Sequence, residues 1–515
     1  MTDWQIRCSR SLGSCKVGKQ KRGNGSEKQN GRTEEQKEGY EKMYDQELKV
    51  YFEAHREEYL EDLASLVAIN SERMEAKEGM PFGEGAAAAL KKGEEILKKC
   101  GMTTRNYENY CITGDLNDKE RAVDILAHLD VVPAGEGWSV TEPFMMKEQD
   151  GRVYGRGTAD DKGPALCALY AMRAIKELNI PLKKGVRLIL GSDEECGSGD
   201  IEYYFSKEPH APMSFSPDAD FPLINIEKGG LHSGFTTEPQ IEEMLPRILE
   251  IKGGVKINVV PDRAEALVEG ISMETLIAYC SKAKNTMGLQ YSMKRENIDG
   301  RSCVRIFVQG QTAHASTPED GKNAVTGLLQ LLSRMPFAES VDFLKLKGIS
   351  KAFPYQDYDG TAMGVNITDP VSGHTSLALT MFTYSEKEFT GMFDCRASIA
   401  ANDENLTKVI YERFKGLGLL PMEDRTMYPP HQVDADSFLV KSLMKAYMDV
   451  TGDTQAKPLA IGGGTYVHDI DNGVAYGCGL PGVDNRMHGA DEFFELRQIE
   501  IGCQVLAQAI INLCA

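Results

Sequence analysis

The chain has 515 residues, 41% of them hydrophobic and 26% charged, the profile of a globular protein of roughly two to four folding units rather than a fibrous or disordered one. Lys and Arg number 58 against 77 Asp and Glu, and the net charge of −19 argues against a nucleic-acid or anionic-membrane surface. No stretch approaches the roughly 18 to 20 apolar residues of a membrane span, and the 12 cysteines form no CxxC pair, so reduced thiols in a soluble, cytoplasmic protein are expected.

The first residues stand apart. Arg7, Arg10, Lys16, Lys19, Lys21, Arg22, Lys28 and Arg32 face only Asp3 and Glu27 in a stretch rich in Gly, Ser, Asn and Gln. With no apolar run behind the basic residues, this is not a secretory signal, and residues 1–42 read as a disordered basic extension. Helical patterning begins near Met43, where Tyr51, Phe52, Tyr59, Leu60, Leu63, Leu66 and Val67 recur at spacings of three and four.

From Arg121, short β-branched runs alternate with amphipathic stretches, which predicts an α/β domain with a mostly parallel sheet covered by helices. Residues 122–130, 185–195 and 222–230 read as strands, and Gly163 to Leu178 as a helix. Polar residues crowd the carboxyl end of each strand, where open α/β sheets build their sites. Between Gly229 and Pro429 the pattern changes to hairpin-like runs with helical stretches at Met273 to Met287 and Asn323 to Met335. This predicts an inserted α+β lid domain over 229–429, between two parts of a catalytic domain, 43–228 and 430–515. Helices resume at Ser437 to Val450 and Ile499 to Leu513.

HExxH, G-x-S-x-G and the phosphate loop G-x-x-x-x-G-K-[ST] are all absent. Gly477, Gly479 and Gly482 do spell GxGxxG, but Pro481 interrupts the motif and no apolar helix follows, so it fails as a dinucleotide site. What remains is a set of His and carboxylate residues at strand ends. His128 and Asp130 in HLDVVP point to one side of an extended chain; alone they read as a surface or hydrogen-bonded pair, and together with a metal the carboxylate would fix the imidazole tautomer. Asp160 and Asp161 in GRGTADDKG read either as a helix cap or as ligands. Glu194 and Glu195 in SDEE read either as a solvated face or as a ligand beside a proton carrier. Asp218 in PDADFP could be only a turn residue, and His488 in RMHGADE only structural.

Taken in order, HLDVVP, GRGTADDKG, SDEE, PDADFP, QTAHAST, IGGGTY and RMHGADE resemble the dinuclear zinc exopeptidases and deacylases, the family of carnosinases, bacterial dipeptidase V, desuccinylases and acetylornithine deacetylases. The spacing is most similar to the dipeptidase V branch. The resemblance implies two divalent ions per chain, zinc first, with manganese or cobalt as alternatives. His128, Asp160 and Asp218 would hold one ion, and Asp160, Glu195 and His488 the other, with Asp160 bridging. Glu194 would be the general base, Asp130 would orient His128, and the Asp160-Asp161 peptide would be cis. His314 would reach the substrate carbonyl from the lid. Asn258, Arg396, Gly463, Gly464 and Thr465 would bind substrate. One departure stands out: Val467-His468 follows GGGTY where these relatives have Ala-Arg. The implied activity is hydrolysis of unblocked dipeptides, Xaa-His and β-alanyl types included, by a monomer that binds neither nucleic acid nor membrane. An N-acyl amino acid deacylase is the alternative, and a non-catalytic zinc-binding protein ranks last because Glu194 is present.

Overall fold

The computed structural model describes residues 34–515 and divides the chain into two units, Met1–Gln46 and Glu47–Ala515. Residues 1–33 of the expected extension lie outside the described residues. Residues 34–42 correct that expectation, because the first helix runs Glu34–Val67 rather than starting near Met43. Its opening EEQKEGYEKM consists mostly of strong helix formers without an apolar face, so propensity builds a helix that periodicity alone does not reveal. In its later turns Tyr59, Leu63, Leu66 and Val67 are buried as the spacing requires.

Nine strands form the first sheet, in the order Thr103–Tyr107, Cys111–Asp115, Gly185–Gly191, Arg121–His128, Met213–Ser216, Gly473–Ala475, Ile224–Glu227 and His431–Gln432, with Leu459–Ile461 also paired to Ile224–Glu227. Arg121–His128 runs parallel to both its neighbours, and Gly473–Ala475 continues the parallel set. One margin is antiparallel, and at the other His431–Gln432 pairs antiparallel and Leu459–Ile461 parallel with Ile224–Glu227. The sheet is therefore mixed, with a run of parallel pairs in its middle. Only a tight hairpin can join Tyr107 to Cys111, and hairpins are antiparallel. The helix Leu496–Cys514 packs on Lys162–Glu177 and Phe438–Thr451.

The second sheet has eight antiparallel strands between Gly229 and Pro421. Its apolar side is covered by Met273–Met287 and Ala324–Ser333, and also by Val341–Ala352 and Thr407–Gly416, two helices beyond those expected. Val341–Ala352 starts at Ser340, whose hydroxyl accepts the Phe343 N–H, and buries Phe343, Leu346 and Ile349 at three-residue steps. The chain leaves the first sheet at Lys228 and returns beside that point, with Gly230 bridged to Tyr428. No helix among the described residues is long and apolar enough to cross a membrane.

Candidate metal centre

Register sets the site. His128 lies opposite Gly191 in the parallel pair, so the segments that follow, LDVVP and SDEEC, leave the sheet side by side. Gly191 has no room for a side chain, because a Cβ would lie 2.0 Å from the Tyr466 hydroxyl and 2.3 Å from Asp200 Oδ2. Those two groups hydrogen-bond at 2.5 Å, and Asp200 also accepts the backbone N–H groups of Ser192 and Asp193. The turn is thus fixed from beneath before the chain reaches Glu194 and Glu195.

His128 is fully buried, with Nε2 3.1 Å from Asp160 Oδ1 and 3.5 Å from Asp218 Oδ2. His488 is half exposed, with Nε2 2.9 Å from Asp160 Oδ2 and 3.4 Å from Glu195 Oε1. The two oxygens of Asp160 therefore face different histidines. Ligand atoms of His128, Asp160 and Glu195 lie within 4.8 Å of one another, as do those of His128, Glu194 and Asp218. The Asp160-Asp161 peptide is cis. Asp161 occupies the cap position of Lys162–Glu177 but makes no capping bond. Its Oδ2 accepts the His128 N–H at 3.0 Å instead, because a buried strand-end donor needs that acceptor.

Asp130 holds two parts of the site at once. Its backbone carbonyl lies 3.1 Å and its Oδ1 3.4 Å from His128 Nδ1, and its carboxylate accepts the backbone N–H of Glu194 at 3.3 Å and of Glu195 at 3.1 Å.

The electrostatics are those of a carboxylate cluster short of positive charge. Burial pushes the Glu195 carboxyl up to about 7, with Asp160 adding to the effect. Burial also raises Glu194 and Asp218. Burial would raise Asp160 as well, but hydrogen bonds from His128 and His488 outweigh it and hold it low. The neighbouring carboxylates of Asp160 and then Glu195 push His488 up to about 11. Glu195 Oε1 is buried and accepts no hydrogen bond. An orphaned carboxylate oxygen among imidazole nitrogens and further carboxylates is the donor set that borderline divalent ions take. The residues present fit two such ions.

His314 belongs to the segment 229–429, where Ala313–His314 pairs with Val259–Val260 next to Asn258. The Asn258 carbonyl accepts the Ala315 N–H at 2.9 Å. His314 Nδ1 accepts the Ser316 N–H at 3.2 Å, so the ring proton is on Nε2. Desolvation, together with the Arg396 guanidinium, holds His314 below the ordinary histidine range, and His488 contributes in the same direction. The ring is a neutral N–H donor.

The expected substrate anchors are more occupied than their sequence suggested. Arg396 forks onto Asp394 at 2.8 and 2.9 Å and donates to the Gly462 carbonyl at 2.6 Å, leaving two of its five N–H groups for other partners. Thr465 is not a free donor. Its N–H and hydroxyl both go to the buried Glu227, which also binds His468 Nδ1 at 2.9 Å. His468 therefore closes the Gly462 to Thr465 turn from behind, through Glu227 and the Pro429 carbonyl. Gly463 and Gly464 remain the open part of that turn.

Sequence reasoning did not single out Glu227, Asp200, Tyr466, Arg156 or Glu492. Glu492 had a signal available, since it ends the RMHGADE motif that contains His488.

The profile of peptidase family M20/M25/M40 matches residues 125–512. Beta-Ala-Xaa dipeptidase of Lactobacillus delbrueckii subsp. lactis is 32% identical over 476 residues, 91% of this chain and 98% of that one. The YtjP protein of Bacillus subtilis (strain 168) is 32% identical over 464 residues, 89% of this chain and 97% of its own length. Among solved structures, human carnosine dipeptidase 1 has a TM-score of 0.53 at 16% identity, covering 91% of this chain and 98% of that chain, which shows a shared fold. A match over most of the chain, together with a relative of this identity and coverage, shows that the chain belongs to peptidase family M20/M25/M40.

Proposed function

We propose that this protein is a metal-dependent dipeptidase acting on unblocked dipeptides, β-alanyl and Xaa-His types included. The observation that carries the reading is Asp160, whose two oxygens face His128 and His488 separately. That arrangement suits one carboxylate shared by two ions. In this reading His128, Asp160 and Asp218 hold one ion and Asp160, Glu195 and His488 the other, with zinc, manganese or cobalt as occupants. When bound, such a pair lowers the pKa of water and polarises the scissile carbonyl.

The chain's own groups do the rest. Glu194, its carboxyl raised by burial, accepts a proton from the attacking water and later donates it to the leaving amine. His314 offers its Nε2–H to the carbonyl oxygen as negative charge develops there. Asp130 keeps His128 oriented and holds the amides of Glu194 and Glu195. Gly463, Gly464 and the two remaining N–H groups of Arg396 receive the substrate carboxylate, with Asn258 alongside.

Residues 229–429 act as a lid on a catalytic domain made of 43–228 and 430–515, and the protein works as a monomer, with His314 serving its own chain. Support for the substrate comes from the name of the Lactobacillus relative. The test is a panel of free dipeptides, dipeptide amides, tripeptides, and N-acetyl and N-succinyl amino acids, run before and after chelation and with each metal added back. Free dipeptides should be hydrolysed fastest, and dipeptide amides about ten- to a hundredfold more slowly for want of the charge-assisted contact. Preference for N-acyl amino acids would replace the reading with a deacylase.

A further inference from the structure

We infer that Glu492 and Arg156, a buried ion pair outside the ligand set, are the positioning residues that bring three ligand-bearing loops into one metal centre. The inference rests on the dipeptidase reading and adds two residues to it.

The local structure explains why these residues meet. Arg152–Tyr154 pairs antiparallel with Phe493–Glu495, Tyr154 opposite Phe493. Strand pairing thus delivers the chain just after Tyr154 and just before Phe493 to the same place. The first continues as Gly155-Arg156-Gly157-Thr158-Ala159-Asp160, and the second arrives from His488. Glu492 Oε1 accepts the backbone N–H of Ala159 at 2.9 Å and of Asp160 itself at 3.3 Å. Its Oε2 accepts the Gly157 N–H at 3.1 Å and the Arg156 Nη1–H at 2.6 Å. One carboxylate is therefore saturated by the loop that carries the shared ligand.

Gly157 turns its amide inward with φ +86, in the left-handed region, and a Cβ there would lie 2.9 Å from Lys162 Cδ. Arg156 extends the tie to a third loop: its NH2 donates to the carbonyls of Pro133 and Ala134, a few residues past His128. Both side chains are almost completely buried, Arg156 at 1% and Glu492 at 0% exposure.

Neither residue touches a ligand atom, so their effect is on where Asp160, His488 and His128 stand. A buried ion pair seldom adds net stability over apolar residues of similar size, so what this pair supplies is the placement of the loops it holds. Outer partners that orient ligands typically change metal affinity or activity by about 10- to 100-fold.

The test uses the full chain stripped of metal and titrated with cobalt, followed by calorimetry and by the visible spectrum of the cobalt protein. Three variants are compared with wild type: Glu492→Gln, the charge-free double variant Arg156→Met with Glu492→Gln, and Arg152→Ala as a control in the same small sheet. Glu492→Gln and the double variant should fold, bind at least one ion about 10- to 100-fold more weakly and show an altered cobalt spectrum. Their hydrolysis of dipeptides should recover in part as metal is raised, and Arg152→Ala should match wild type throughout. Unchanged affinity and spectrum in both Glu492 variants would overturn the inference. Failure of both to fold would also overturn it, by assigning the pair to the stability of the fold. A wild type that takes up no cobalt and ignores chelation would sink the dipeptidase reading instead, before any variant is compared.

Discussion

Asp130 accepts the backbone N–H of Glu194 at 3.3 Å through the same carboxylate that faces His128 Nδ1 at 3.4 Å. In the proposed reading, this one side chain couples the orientation of a ligand to the position of the proton carrier. Asp130→Ala should weaken metal binding about 10- to 100-fold and lower kcat further than metal loss explains. Asp130→Asn keeps a carbonyl oxygen for one of the two amides and should recover part of kcat. Titration with metal alongside kcat and KM for both variants checks this, and equal behaviour of Ala and Asn would remove the amide contacts from the account.

Adjacent glutamates should divide the work. Glu194→Gln should retain metal and lose about 10²- to 10⁴-fold in turnover, the range for a positioned acid-base group. Glu195→Gln should lose metal, because its buried Oε1 has no hydrogen bond to fall back on. Metal analysis of the two purified variants, with activity beside it, decides whether the roles have been assigned to the right neighbours.

His314 and the Gly462 turn approach each other within one chain: a Cβ on Gly462 would lie 2.7 Å from the Cβ of Ser316, two residues from His314. Mixing inactive His314→Ala with inactive Glu194→Ala should therefore restore no activity. Recovered hydrolysis would mean that His314 serves a partner subunit.

The departure at Val467-His468 carries a pH signature. Both ring nitrogens of His468 face acceptors, Glu227 Oε2 at 2.9 Å and the Pro429 carbonyl at 3.0 Å, so the bound form is the imidazolium. Hydrogen bonding to Glu227 raises its pKa above the ordinary histidine value. A raised folded-state pKa adds stability that is complete below about 6.5 and is lost as pH rises through the folded value. The melting-temperature difference between wild type and His468→Gln should therefore be largest in acid and shrink in alkali. A difference that stays constant or grows with pH would rule out the charged pair.

His128 and Glu194, the proposed ligand and proton carrier, stood out because each follows an apolar strand in a recognisable short motif, His128 after AVDILA and Glu194 after GVRLILGSD. The parallel middle of the sheet was legible for the same reason. Asp200 and Glu227 were not, because each works by accepting backbone N–H groups, and a backbone amide leaves no mark in the sequence; Glu492 works the same way but ends the RMHGADE motif. The helical start at Glu34 was missed because it lacks an apolar stripe. The tie of Thr465 to Glu227 was not legible, because Glu227 lies 238 residues away and meets it only in the folded chain.

The central claim is that two ions shared through Asp160 make this protein a dipeptidase. Metal content and dipeptide hydrolysis, measured together on the same preparation while metal is withdrawn and then returned, test it most directly. The account predicts two ions per active chain, activity that disappears as they leave, and recovery with zinc, manganese or cobalt. Full hydrolysis of dipeptides by protein from which all metal has been removed would contradict it.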